Sequence, residues 1–244
     1  MKKRLITLLL AFACCLPLFV GCDDAETPDV DLDGDQDDES FELITGTITN
    51  WKAPTPEKGS DGLYQIIVND FERPADFNPV TSGQVGAAAT VEKKIVHSGN
   101  QSLKISRTNQ FNNETYAEAS VRHFMDIEHR KNYSDFSKVK KISFWVYNAQ
   151  AKPQELTLSI KYTKDATPAI YYTEEIPSKE WTLVTIDFDT SQAKGSDNKT
   201  LKYIKDLLKK DTVERLTFSF NRHSRTKDTV FYIDDFCLHS TKLM

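Results

Sequence analysis

The sequence predicts an all-β protein: an antiparallel two-sheet β-sandwich or jelly roll with one short inserted helix. Nine segments alternate apolar and polar side chains with a period of two, which is typical of strands that bury one face. A single segment carries apolar residues at helical spacing. Beyond residue 22 the only cysteine is Cys237, so no disulfide can form within the domain and a hydrophobic core must stabilise it.

The chain begins with a segment typical of a bacterial lipoprotein signal. A positively charged start at residues 2–4 precedes an apolar run that ends at Gly21 and Cys22. This run is too short to span a membrane comfortably as a helix. Because the motif resembles a lipobox, we expect removal of residues 1–21 and lipidation of Cys22, which would anchor the protein to a membrane. The alternative is an ordinary secretory signal, which would still export the chain.

Residues 22–42 predict an acidic, disordered tether. Residues 23–42 hold 11 acidic side chains and no basic one, and such a charge run resists collapse. Acidic residues directly after a lipidated cysteine resemble the export signal of surface lipoproteins in glycan-degrading Gram-negative bacteria. This implies an outer-membrane lipoprotein at the cell surface, with the periplasmic leaflet as the alternative.

The remainder of the chain has a near-neutral charge. Residues 43–244 carry 25 acidic and 28 basic side chains. They contain no basic stripe and no recognition motif, so we expect no nucleic acid as a partner.

The elements follow in order along the chain. Residues 43–62 combine a short β-prone segment with a Pro- and Gly-rich connector, and the β-sandwich domain is expected at 63–244. Within 156–162, four apolar residues alternate with polar ones, which predicts one buried and one solvated face. The helix is expected at 200–210. The nine predicted strands lie at 64–71, 102–107, 117–125, 142–147, 156–162, 170–174, 181–188, 215–220 and 230–238.

Five motifs stand in a characteristic order. They are Val68-Asn-Asp-Phe-Glu72, Val96-His-Ser-Gly-Asn-Gln-Ser-Leu-Lys-Ile105, Ile142-Ser-Phe-Trp-Val-Tyr147, Trp181-Thr-Leu-Val-Thr-Ile-Asp187 and Phe231-Tyr-Ile-Asp-Asp-Phe236. Over about residues 63–239 the chain resembles the galactose-binding-domain-like jelly rolls that include many carbohydrate-binding modules. The resemblance implies a lipid-anchored, non-catalytic protein that binds polysaccharide or oligosaccharide through an open sheet face or a loop end.

The same resemblance implies a structural calcium ion (Ca2+) between the first and last strands. By this resemblance Glu72 and Asp234 are the best ligand candidates, with Asp70 and Asp235 behind them. Backbone carbonyls of the turn at 97–99 would complete the shell. The alternative is that these carboxylates cap turns or meet lysines at a sheet edge.

Carbohydrate ligands present apolar faces bordered by hydroxyls, so their sites combine flat aromatic rings with polar side chains. If the apolar residues of strand 142–147 face the core, its two other aromatic side chains lie on an open face; the alternative is that a loop or helix covers Trp145. Further candidates lie on strand 117–125 or at strand ends, where binding groups collect. The expected ligand-binding residues are Trp145, Tyr147, Arg122, Tyr172, Tyr116 and Asn221.

The sequence contains no nucleophile elbow, zinc-protease motif or phosphate loop, and we expect no catalysis. Two alternatives remain open. A pair of carboxylates could make a glycoside hydrolase or polysaccharide lyase. Exposed aromatic rings would also suit a non-enzymatic adhesion or assembly subunit that binds a protein partner. An outer-membrane transporter or a glycosidase is the expected partner of a carbohydrate-binding protein at this location.

Overall fold

The computed structural model describes residues 55–72, 77–79, 87–107, 119–125, 133–220 and 229–244. The predicted signal, Cys22, the acidic tether and the β-prone segment at 43–51 lie outside these residues. Residues 43–244 form one compact unit. No helix among the described residues is long and apolar enough to cross a membrane.

Two antiparallel sheets make up the described part of the domain, which confirms the predicted all-β sandwich. A short 3₁₀ helix, Phe136–Lys138, directly precedes the strand Val139–Asn148. One α-helix, α1, spans Ile204–Leu207. In chain order the strands are β1 Glu57–Lys58, β2 Tyr64–Asn69, β3 Phe77–Pro79, β4 Ala87–Glu92, β5 Ser102–Arg107, β6 Ala119–Phe124, β7 Val139–Asn148, β8 Gln154–Tyr162, β9 Ile170–Ile176, β10 Trp181–Asp187, β11 Gln192–Lys194, β12 Leu201–Tyr203, β13 Val213–Phe220 and β14 Val230–Ser240.

The first sheet, sheet A, is built around β14. Along one side β14 pairs with β7, which in turn pairs with β10. On its other side the first half of β14 pairs with β5, followed by β4, and the second half pairs with β2, followed by β1. Sheet B is a simpler array with the strand order β12-β11-β9-β8-β13-β6-β3.

The core lies between the two sheets. Alternate residues of β7, including Phe144 and Val146, point inward from sheet A, and Leu216, Phe218 and Phe220 point inward from sheet B. The rings of Phe144 and Phe218 meet edge to face, with their centroids 5.0 Å apart. The intervening residues of each strand therefore point away from the core, on the outward faces of the two sheets.

All nine predicted strands are strands in the structure, whereas the predicted helix is shorter than expected. The residues Leu201–Tyr203, expected as its first turn, form β12 and pair with β11. The backbone N–H groups of Lys199 and Thr200 donate to the Asp197 side chain, so a turn, not a helix, precedes this strand. Tertiary pairing has overridden the helical spacing of the apolar residues.

Candidate functional site

The centre of the outward face of sheet B is polar but shielded from solvent. The central strand β8 is buried on both sides: Leu158 and Ile160 point into the core, while Thr157 (4% exposed), Ser159 (6%) and Lys161 (9%) point outward. The neighbouring strand β13 adds Ser219, which is 6% exposed. A solvated sheet face would leave such residues exposed. This outward surface is here called the polar face, and the hydrogen-bonding groups at its centre are shielded from solvent.

The strand register aligns residues of the polar face in rows. Seven strands at a spacing of about 4.8 Å give the face a width of roughly 30 Å. Side chains of β3 and β6 are not described, so for these strands only the backbone positions are known. The row through the centre of the sheet consists of Leu201, Lys194, Tyr171, Ser159, Thr217, Arg122 and Asn78. The next row contains Thr173, Thr157, Ser219 and Ser120.

Three charged side chains meet at one end of the polar face. The Glu214 carboxylate accepts hydrogen bonds from Lys161 Nζ and, at 2.8 Å, from Arg215 Nη1. A β-bulge between Val213 and Arg215 breaks the alternation of β13 here, and such a bulge can bring neighbouring side chains to one side. The network fixes the guanidinium plane of Arg215 relative to the face.

The guanidinium group of Arg215 keeps one unused donor. Its Nε atom is buried and has no hydrogen-bond partner in the described part of the chain. A buried donor without an acceptor costs about 1–3 kcal/mol. An oxygen atom of a bound ligand would satisfy it.

The second feature is a group of rings on the outward face of sheet A, here called the aromatic face: Trp145, Tyr147, Trp181, Tyr232 and His97. The His97 imidazole stacks on the Trp145 indole with a centroid distance of 3.8 Å and an interplanar angle of 17°. The Trp181 ring meets the His97 ring edge-on, with a centroid distance of 5.6 Å, and its centroid lies 5.7 Å from that of Tyr147. The loop that carries His97 therefore covers one side of the indole of Trp145.

The six predicted ligand residues do not form one surface. Trp145 and Tyr147 lie on the outward face of sheet A, whereas the position of Arg122 and that of Tyr172 belong to sheet B. Tyr116 and Asn221 lie outside the described residues. Whether any of the six contacts a ligand stays a prediction.

Tyr172 points away from the polar face. It pairs with the buried Leu158 and packs against the core, and its hydroxyl donates to Glu174 Oε2 at 3.0 Å. Burial, together with the charge of Glu174, raises the pKa of Tyr172 to about 12. Its neighbour Tyr171 lies on the polar face. Period-two alternation starting from the buried Ile170 would have selected Tyr171 from the sequence.

The predicted metal ligands surround the loop 97–101. Glu72 Oε1 accepts from the backbone N–H groups of Asn100 (2.6 Å) and Gln101 (3.2 Å). Burial by itself would raise the pKa of Glu72, but these hydrogen bonds hold it below its usual value. Asp70 lies beside this contact and accepts from the Glu72 N–H at 3.3 Å.

The two aspartates at the end of the domain hold the first part of the same loop. Asp234 is fully buried, and its Oδ2 accepts from the backbone N–H groups of His97 (3.0 Å) and Ser98 (3.2 Å). Burial raises the pKa of Asp234 to about 6, and the charge of Asp235 adds to this effect. Asp235 Oδ2 lies 2.9 Å from His97 Nδ1, and its Oδ1 accepts from Ser98 Oγ at 2.8 Å.

This arrangement does not fit a calcium site. Calcium needs six to eight oxygen ligands that converge on one point, whereas the loop directs N–H groups toward Glu72 and Asp234. Among the residues that the structure describes, no group of three or more His, Cys, Asp or Glu side chains could hold a metal ion. Calcium binding stays a prediction from the sequence resemblance.

Solved structures of carbohydrate-binding modules share the fold. The family 11 carbohydrate-binding module from Clostridium thermocellum, in complex with a β-1,3-1,4-mixed-linked tetrasaccharide, matches with a TM-score of 0.51 and 15% sequence identity, over 71% of this chain and 94% of that chain. The solution structure of CtCBM11 matches with a TM-score of 0.51 and 13% identity, over 76% and 100%. No family model and no curated protein matches the chain. At these identities the similarity establishes a common β-sandwich fold.

Proposed function

We propose that the domain is a non-catalytic carbohydrate-binding module that holds a polysaccharide or oligosaccharide chain on its polar face. The observation that carries the proposal is the cluster of hydroxyl and charged side chains on the outward side of β8 and β13. The tetrasaccharide complex among the similar structures supports the same class of ligand.

The polar face offers the groups that sugar hydroxyls require. Thr157 and Ser159 carry hydroxyl groups that can each donate and accept hydrogen bonds. The Thr157 hydroxyl lies 3.1 Å from that of Thr173, and Arg215 Nε supplies a donor that lacks a partner in the described residues. The ring of Tyr171, half-buried in the same row, provides an apolar surface. A site with a few fixed polar groups orients a ligand and rejects analogues that lack its hydroxyls.

The charged network at the end of the polar face favours binding over hydrolysis. A glycosidase needs two carboxyl groups about 5–9.5 Å apart, one of which donates a proton. Glu214 instead accepts hydrogen bonds from both Lys161 and Arg215. Each of its two carboxylate oxygens therefore already has a partner within the protein.

The proposal includes a lipid anchor at Cys22 and a location on the outer face of the outer membrane, near a transporter or glycosidase that uses the same glycan. The lipobox-like sequence and the acidic residues after it support this part. Incorporation of labelled palmitate should be lost in a Cys22→Ser variant. External protease should remove the domain from intact cells, and full protection would contradict surface exposure.

A glycan array probed with the unlipidated Cys22→Ser chain tests the class of function, and variants test the face. We expect Arg215→Gln and Thr157→Val to weaken binding about tenfold each, which corresponds to one lost hydrogen bond of about 1.4 kcal/mol. Lys104→Gln on the outward face of sheet A is the matched control and should bind as the wild type does.

Two outcomes would contradict the proposal. Unchanged binding in both polar-face variants would move the site elsewhere, and alanine at Trp145 and Tyr147 would then test the aromatic face. An array without hits, together with a specifically co-purifying membrane protein, would favour an assembly or adhesion subunit.

A further inference from the structure

The loop 97–101 is fastened by carboxylates from both ends of the domain. Glu72 follows β2, the second strand of the chain, and Asp234 and Asp235 lie within β14, the last one. The loop donates four backbone N–H groups to them, two to Glu72 and two to Asp234. Such bonds to ionised acceptors are about twice as strong as bonds between neutral groups.

The second half of the loop is shaped around the Glu72 carboxylate. Gly99 has a φ of 62°, and successive N–H groups on either side of such a residue form a concave nest that selects anions. A Cβ atom at Gly99 would lie only 2.0 Å from Glu72 Oε1. The carboxylate thus fills the space that a side chain at this position would need.

The charge pattern of the loop is opposite to that of a cation site. Its N–H dipoles place positive ends toward Glu72 and Asp234, where calcium ligation would need carbonyl oxygens. Each of these carboxylates already accepts more than one hydrogen bond from the loop. The loop itself therefore supplies the positive charge that these carboxylates face.

The same contacts place His97 on the aromatic face. Its N–H donates to Asp234, and its Nδ1 lies 2.9 Å from Asp235 Oδ2. With its backbone N–H and its ring Nδ1 both held by aspartates, His97 stacks its imidazole ring on Trp145. Fixing the loop therefore also fixes the ring that covers the indole.

We propose that Glu72, Asp234 and Asp235 form a metal-independent carboxylate clamp, which holds the loop 97–101 in place and keeps His97 stacked on Trp145. The clamp thereby keeps one side of the Trp145 indole covered. This inference concerns sheet A and does not depend on carbohydrate binding at the polar face.

Thermal unfolding with and without chelator tests the metal-independence of the clamp. The melting temperature of the wild-type chain should be the same in EDTA as in millimolar CaCl2, and the purified protein should contain no stoichiometric metal. Glu72→Gln should lower the melting temperature by roughly 5–10 °C, because charge-assisted bonds to two N–H groups are weakened. A melting temperature that falls in EDTA and recovers with calcium would overturn the proposal.

Glycine substitutions test whether Glu72 fills the nest. Gly99→Ala should be clearly more destabilising than Gly62→Ala, because Gly62 also has a positive φ, 78°, but a Cβ atom added there would have no neighbour within 4 Å. In a Glu72→Ala background the extra cost of Gly99→Ala should disappear. Equal losses of stability for Gly99→Ala and Gly62→Ala in the wild-type background would contradict the clamp. This comparison can be made even if the Glu72→Gln variant does not fold.

Tryptophan fluorescence tests the cover over Trp145. In a Trp51→Phe background, which removes the tryptophan outside the described residues, acrylamide should quench the fluorescence more strongly after His97→Ala than without it. Glu72→Gln should also increase the quenching. Lys94→Ala, an exposed position just before the loop, is the matched control and should behave as the wild type. Unchanged quenching in His97→Ala would show that the imidazole does not shield the indole.

Discussion

His239 has a half-buried imidazole whose Nδ1 atom is buried, with an incomplete set of partners. Its Nε2 lies 2.7 Å from Ser143 Oγ on the outward face of sheet A, and its Nδ1 has no partner among the described residues. Burial lowers the pKa of His239 below its usual value of 6.5, and the nearby Lys141 lowers it further against the opposing effect of Asp61. The folded protein therefore resists protonation at this position.

We predict that His239 makes the domain lose stability in mild acid. The unfolded chain takes up the proton first as the pH falls through 6.5, so the free energy of unfolding decreases below that pH until the folded state is protonated as well. Urea unfolding at about pH 7.5 and about pH 5.5 should show a larger loss for the wild type than for His239→Asn.

The comparison with a variant isolates this histidine. Because the pKa of Asp234 is raised to about 6, its protonation stabilises the folded protein as the pH falls through that value. This contribution is the same in the wild type and in His239→Asn, so it cancels when their pH dependences are compared. Ser143→Ala keeps the half-buried imidazole and should keep the wild-type slope. The same pH dependence in the wild type and His239→Asn would contradict the assignment.

At the scale of the elements, Asn148 joins the end of β7 in sheet A to β9 in sheet B. Its Nδ2 donates to the carbonyls of Lys152 (2.9 Å) and Ile176 (3.2 Å), and its Oδ1 accepts from the N–H of Gln150 at 2.9 Å. The side chain is fully buried. One amide therefore links backbone groups of two connections.

We predict that Asn148→Ala lowers the free energy of unfolding by about 2 kcal/mol, because it removes three hydrogen bonds of a fully buried amide, including the buried one to the Ile176 carbonyl. Gln154→Ala is the matched control: its amide also donates to the Lys152 carbonyl, at 3.3 Å, but in an exposed setting. The control should change stability by less than about 0.5 kcal/mol in urea unfolding. Equal effects of the two substitutions would show that burial of the Asn148 amide is unimportant.

Alternation predicted the strands well because each of them buries one face against the core. In β7 the inward Phe144 and the outward Trp145 were separated correctly by the period of two. The five strands that the sequence did not reveal are two or three residues long or, as in β4, start with three alanines. Short or small-residue strands carry too few apolar side chains for a periodic signal.

The candidate site was harder to predict because alternation assigns a face within a strand but not the sheet to which that strand belongs. Trp145 and Tyr172 lie on strands of different sheets, and only the pairing of β14 with β7 and of β8 with β9 separates them. The shielding of Ser159 and Thr157 depends on the shape of the whole sheet, which no local pattern contains. The prediction from sequence therefore selects aromatic residues as ligand contacts and misses the hydroxyl groups of the polar face.

At the scale of the whole molecule, aromatic rings join the two sheets through the core. Phe218 of sheet B meets Phe144 and Phe236 of sheet A edge to face, at centroid distances of 5.0 and 5.8 Å. A second contact stacks Phe220 on Phe231 at 3.8 Å. Because each sheet buries its inward face only against the other, neither should keep its structure alone.

We predict that Phe218→Ala lowers the free energy of unfolding by about 3–5 kcal/mol, through lost burial and the cavity it leaves. Far-UV circular dichroism reports both sheets, whereas in a Trp51→Phe background tryptophan fluorescence comes from Trp145 and Trp181 of sheet A. Both signals should shift together to the same lower melting temperature, because removal of one ring in sheet B weakens the packing of sheet A. Leu183→Ala, at a position 48% exposed on sheet A, is the control and should leave both transitions near those of the wild type. Separate transitions in the two signals would show that the sheets unfold independently.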